Sequence, residues 1–132
     1  MALSSILCGA TLASFRDALR WDVLVLTALT TILLQVLSNF ANDYGDSQHG
    51  ADNADRIGPS RAVQAGNITA AEMKKAVIIT AILAFISGCS LLYISGLHLD
   101  LQGFFFLVLG IAAIAAPIRY TAGKDPYGYK GL

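Results

Sequence analysis

Four carboxylates and two guanidinium groups crowd into one polar stretch of an otherwise apolar chain. Asn42 to Thr69 reads NDYGDSQHGADNADRIGPSRAVQAGNIT and carries Asp43, Asp46, Asp52 and Asp55, followed by Arg56 and Arg61. Asp43 and Asp46 are three residues apart, so a helix continuing through them points both carboxylates to one side. Asp52 and Asp55 repeat that spacing beyond Gly50. Carboxylates at this density repel one another unless a cation lies between them. Hard oxygen ligands suit Mg²⁺, which takes one or two carboxylates, several waters and substrate phosphates. Arg61 and Arg56 add forked donors that match phosphate oxygens. The chemistry this pattern fits is a Mg²⁺-held diphosphate; the plainer alternative is a solvated acidic loop, and spacing alone leaves both open. An EF-hand is excluded, because the third and fifth positions counted from Asp43 are Gly45 and Ser47. The chain has no Cys/His cluster for zinc and no GxxxxGK[ST] loop for a nucleotide.

The elements that must position these groups are apolar. Of the 132 residues 55% are hydrophobic and only 14% charged, against about 25% charged in a soluble domain, and the mean hydropathy is +0.61. Lipid is therefore the expected solvent for much of the surface, and the expected fold is an all-α, integral membrane helix bundle. The formal net charge of zero gives no reason to expect a nucleic-acid partner. Four spans are expected, at 3–15, 23–41, 76–97 and 101–118. The first is shorter than the ~20 residues a bilayer needs and is expected to be a transmembrane helix whose beginning is missing or frayed. Trp21, after the polar turn of Arg16, Asp17 and Arg20, suits an interfacial anchor. In the second span Gln35 and Asn39 are four residues apart and share a face with Asp43. They read either as polar glue between helices or as a stripe leading to a site.

Residues 42–75 are expected to form a loop, because Gly45, Gly50, Gly58, Pro59 and Gly66 interrupt it. Thr69 followed by Glu72 has the form of a capping box opening the third helix. His98-Leu99-Asp100 leaves room only for a tight turn, so the last two spans should be antiparallel neighbours. Cys8 and Cys89 lie in separate apolar runs and read as small packing residues. Arg56, Arg61, Lys74, Lys75, Arg119, Lys124 and Lys130 fall on one side of the alternating spans, against Arg16 and Arg20 on the other. By the positive-inside rule the aspartate-rich loop and the C-terminal tail face the cytoplasm of a cell inner or plasma membrane protein.

Asn42-Asp43-x-x-Asp46, with Asp52 after Gly50, resembles the first aspartate-rich motif of the intramembrane aromatic prenyltransferases. The forms NDYGDSQHGAD, GPSRAVQAGNIT and YTAGKDPYGYKGL are most similar to the menaquinone branch, the 1,4-dihydroxy-2-naphthoate polyprenyltransferases. The 4-hydroxybenzoate branch shares the NDxxD core. The resemblance implies a closed bundle of about nine transmembrane helices, each satisfying its own backbone polar groups, of which four are present. It implies two aspartate-rich motifs at the cavity mouth that bind Mg²⁺ and a polyprenyl diphosphate. It also implies departure of diphosphate to leave an allylic cation, attack by the electron-rich ring of 1,4-dihydroxy-2-naphthoate, and loss of the ring carboxylate as CO₂ to give demethylmenaquinone. Carried over by motif, Asp43 and Asp46 are the catalytic carboxylates, and Asp43, Asp46 and Asp52 are the Mg²⁺ ligands. Asn42 and Arg61 contact diphosphate, and Asp55 and Arg56 fall near the pattern. The second motif has no counterpart up to Leu132, so the chain reads as an N-terminal fragment that is inactive alone. A small four-helix membrane protein, or part of a transporter, is the competing reading from a different class.

Overall fold

A computed structural model describes residues 2–49, 62–63, 65–97, 100–123 and 125–130. It is all-helical among those residues. The elements are α1 (Ala2–Phe15), α2 (Trp21–His49), α3 (Ala70–Ile94) and α4 (Leu101–Thr121), with a 3₁₀ turn at Tyr127–Lys130. Three of them, α2, α3 and α4, are long and apolar enough to cross a membrane. At 14 residues, α1 reaches about 21 Å by the 1.5 Å rise per residue, short of a ~30 Å hydrocarbon core.

α2 is the hub. It packs most extensively along α3, then against α4, and α1 touches it more lightly. The buried apolar side chains are Leu37 and Ala41 of α2 and Met73, Val77 and Ala84 of α3, the two helices that contact each other most extensively. Polar groups of these two helices are bonded across that contact. Thr30 Oγ1 and Ser87 Oγ are 2.8 Å apart, the kind of small hydroxylated pair that ties helices together where water is absent. Elsewhere large apolar side chains are exposed, among them Val25, Ile79, Ile86 and Phe104. Faces of this kind suit lipid or further protein rather than water.

Several boundaries differ from the sequence expectation. α2 does not stop at Ala41; it continues through the first aspartates to His49, so Gly45 sits inside a helix instead of breaking one. Glycine weakens a helix by only about 1 kcal/mol, and at Gly45 its lack of a side chain is what lets α4 approach. An added Cβ there would run into the Thr121 carbonyl and come within 2.7 Å of Thr121 Cβ. α4 likewise passes through Pro117 to Thr121, since proline is tolerated in membrane helices where neighbouring groups compensate the lost donor.

α3 opens six residues before the expected 76, at Ala70, on the capping box read from the sequence. Glu72 N–H donates to Thr69 Oγ1 at 3.2 Å, and Thr69 N–H donates to Glu72 Oε2 at 2.8 Å. Asp100 caps α4, accepting from Gly103 N–H at 2.8 Å. The tail folds back on the end of α4. Tyr127 O–H donates to the Ala116 carbonyl at 3.2 Å, and the Tyr120 and Tyr127 rings meet edge to face at 5.3 Å.

Candidate functional site

The polar end of α2 has two neighbours: the segment just before α3 and the end of α4. Because α2 remains helical through residues 42–49, Asn42, Asp43 and Asp46 occupy successive positions around one turn. Asp43 is 7% exposed. Its Oδ2 accepts the Ala62 N–H at 3.1 Å, across 19 residues of sequence, and so ties the chain entering α3 to α2. Its Oδ1 is buried and has no hydrogen-bond partner among the described residues. A carboxylate oxygen left in that state costs at least the 1–3 kcal/mol of an unsatisfied buried polar group, and more when charged. A cation offsets that penalty directly.

Asp46 lies one turn further, half-buried. Ser47 Oγ donates to the Tyr44 carbonyl at 2.6 Å, and Tyr44 O–H accepts from Gln48 Nε2 at 3.0 Å. Tyr44 therefore bonds along its own helix. Gln35 and Asn39 are exposed, unlike the buried Asp43. Asp43, one turn beyond Asn39, is covered by its neighbours where Gln35 and Asn39 are not.

Of the residues singled out by sequence, the structure brings Asn42, Asp43 and Asp46 together. Asp52, Asp55, Arg56 and Arg61 lie outside the described residues. Among the described residues no three His, Cys, Asp or Glu side chains gather into a metal cage. Two carboxylates and an amide on one helical turn, one carboxylate oxygen orphaned and buried, fit Mg²⁺, which needs only one or two protein carboxylates with water and phosphate completing its shell. Asp43 and Asp46 are the residues that would hold it.

Sequence reasoning missed Thr121. Its Oγ1 lies 3.0 Å from the Ala41 carbonyl and 3.2 Å from Asn42 Oδ1, and the residue is 6% exposed. A contact across 79 positions leaves no periodic trace. The one local hint was the small residue, Gly45, inside an acidic motif.

The model of the UbiA prenyltransferase family matches residues 2–130. The chain is 50% identical over its whole length to a protein of Haemophilus influenzae named 1,4-dihydroxy-2-naphthoate octaprenyltransferase, covering 43% of that protein. It is 47% identical to the Escherichia coli protein of the same name, of which it covers 42%. A Mycobacterium tuberculosis protein, also so named, is 30% identical over 99% of the chain. The chain thus spans about two-fifths of the length of these curated relatives. No solved structure matches it.

Proposed function

The chain belongs to the UbiA prenyltransferase family, and from that premise we propose that residues 1–132 supply one wall and half of the diphosphate site of a multi-pass membrane prenyltransferase. Its reaction is transfer of a polyprenyl group from an allylic diphosphate to 1,4-dihydroxy-2-naphthoate, with loss of CO₂, giving demethylmenaquinone. The acceptor follows from the names of relatives that are 47–50% identical along the whole chain. The observation that carries the site is the buried Asp43 Oδ1, without a hydrogen-bond partner among the described residues, on the same turn as Asn42 and Asp46.

In this reading Asp43 and Asp46 hold Mg²⁺ together with Asp52, and Asn42 and Arg61 contact the diphosphate. Bound there, Mg²⁺ supplies positive charge against the diphosphate as its bond to the allylic carbon breaks. The chain's own contribution is placement. α2 carries the carboxylates at a fixed pitch, and the apolar helices keep water from the allylic cation until the naphthol ring attacks it. The positive-inside count puts this end of α2 at the cytoplasmic face, where soluble Mg²⁺ has access.

The test uses membranes containing the complete reading frame that encodes residues 1–132, supplied with Mg²⁺, a polyprenyl diphosphate and 1,4-dihydroxy-2-naphthoate. The expected product is the decarboxylated prenyl naphthoquinol, identified by mass. Asp43→Asn and Asp46→Asn should each lower kcat/KM by about 10²–10³, the size typical of removing one transition-state charge contact. Wild-type rates in both variants would remove the assigned roles; prenylation of 4-hydroxybenzoate instead would move the protein to the other branch.

A further inference from the structure

We propose that Thr121, at the last turn of α4, is a positioning residue that sets the orientation of the Asn42 amide in the diphosphate site; this rests on the reading of that site given above. Three observations converge on it. The Thr121 hydroxyl is within hydrogen-bond distance of three oxygens: Ala41 O at 3.0 Å, Asn42 Oδ1 at 3.2 Å and Pro117 O at 3.3 Å. Among the described residues it is the side chain bonded to Asn42. The crossing that brings it there has no slack, because Gly45 of the aspartate motif rests directly on the Thr121 backbone.

A hydroxyl has one proton to give and two lone pairs to offer. Three oxygens cannot share its one proton: given to Asn42 Oδ1, it holds the carbonyl end of the amide; given to a backbone carbonyl, it leaves the lone pairs of the hydroxyl to accept from the amide N–H. Carbonyl and amino ends of an asparagine are related by a simple flip. Whichever end Thr121 holds, the other is left for the site, and the amide cannot turn without breaking a bond buried between two helices. A buried bond of this kind is expensive to leave unmade. Thr121 touches neither metal nor diphosphate in this arrangement; it acts through Asn42, from a helix that ends four residues after the Pro117 interruption.

The role is separable from packing. Thr121→Val keeps shape and removes the hydroxyl, Thr121→Ser keeps the hydroxyl and removes a methyl, and Thr121→Ala serves if the valine variant fails to accumulate in membranes. In the protein from the complete reading frame, the readouts are the inhibition constant of inorganic pyrophosphate and the KM of each substrate. Thr121→Val should raise the pyrophosphate constant and the prenyl diphosphate KM about tenfold, the order expected for one net hydrogen bond. The KM for the aromatic acceptor should not change. Thr121→Ser should return both constants to within about twofold of wild type, by the same bond. In an Asn42→Ala background Thr121→Val should add nothing, because residues that act through one another are not additive.

Wild-type constants in Thr121→Val, equal damage in the serine and valine variants, or full additivity with Asn42→Ala would each overturn the proposal. Asp43→Asn, measured in parallel, separates the two levels. Undiminished pyrophosphate inhibition in Asp43→Asn overturns the diphosphate site itself, whereas its loss there together with wild-type behaviour of Thr121→Val overturns the positioning role alone.

Discussion

At Asp43 the two carboxylate oxygens have different surroundings, Oδ2 accepting the Ala62 N–H at 3.1 Å and Oδ1 buried without a described partner. Substitutions can therefore divide tethering from charge. Asparagine retains an acceptor for the Ala62 amide and loses the charge; alanine loses both. Amide exchange at Ala62 should stay protected in Asp43→Asn and accelerate by roughly 10- to 100-fold in Asp43→Ala, the range implied by 1–3 kcal/mol for an unpaired buried donor. Equal exchange in the two variants would mean the tether is not made by this side chain. Gly45 gives a second prediction at this scale. A methyl group there has nowhere to go against Thr121, so Gly45→Ala should destabilise by about 1–3 kcal/mol, as overpacking of tight contacts does. This outcome runs opposite to the usual gain from replacing a helical glycine by alanine. Thermal unfolding in detergent measures the sign.

Among the elements, those whose ends are set by local chemistry were legible and those set by a distant partner were not. Thr69 and Glu72 announce the start of α3 because a capping box is a contact between residues three apart, and both of its bonds are present. Thr69→Ala should accordingly cost about 1 kcal/mol, seen as faster amide exchange over residues 70–73 while the middle of α3 is unaffected. The apolar runs of α2, α3 and α4 were equally plain, since twenty lipid-compatible residues in a row have few other uses. The continuation of α2 from Ala41 to His49 was not legible. Gly45 and the glycines beyond it argued locally for a loop, and what overrides Gly45 is α4 lying against it at Thr121, 76 residues further along the sequence. α4 likewise runs past its expected end at 118, through Pro117, to Thr121. Of the site, Asn42, Asp43 and Asp46 could be named from spacing and resemblance. The orphaned Oδ1 and the Thr121 contact depend on which face of α2 its neighbours cover, and no spacing rule carries that information.

For the molecule as a whole, α3 and α4 packed on the hub α2, all three long and apolar enough to cross a membrane, leave broad apolar faces exposed, and the chain covers about two-fifths of its curated relatives. In the proposed topology the polar end of α2, the segment before α3 and the tail share one side of the bilayer, with the α1–α2 turn on the other. Single cysteines at Asn67 and Lys130, in a Cys8→Ala, Cys89→Ala background, should react with an impermeant thiol reagent only from the cytoplasmic side. A cysteine at Arg16 should react only from the opposite side. Labelling of all three from one side would contradict the topology. The central claim, that Asp43 and its turn of α2 hold a metal–diphosphate, is tested most directly by pyrophosphate binding to the purified protein of the complete reading frame, with and without Mg²⁺. The account predicts binding that requires Mg²⁺ and weakens at least about tenfold in Asp43→Asn, as expected when a charged contact is lost; binding indifferent to Mg²⁺, or unchanged in Asp43→Asn, would contradict it.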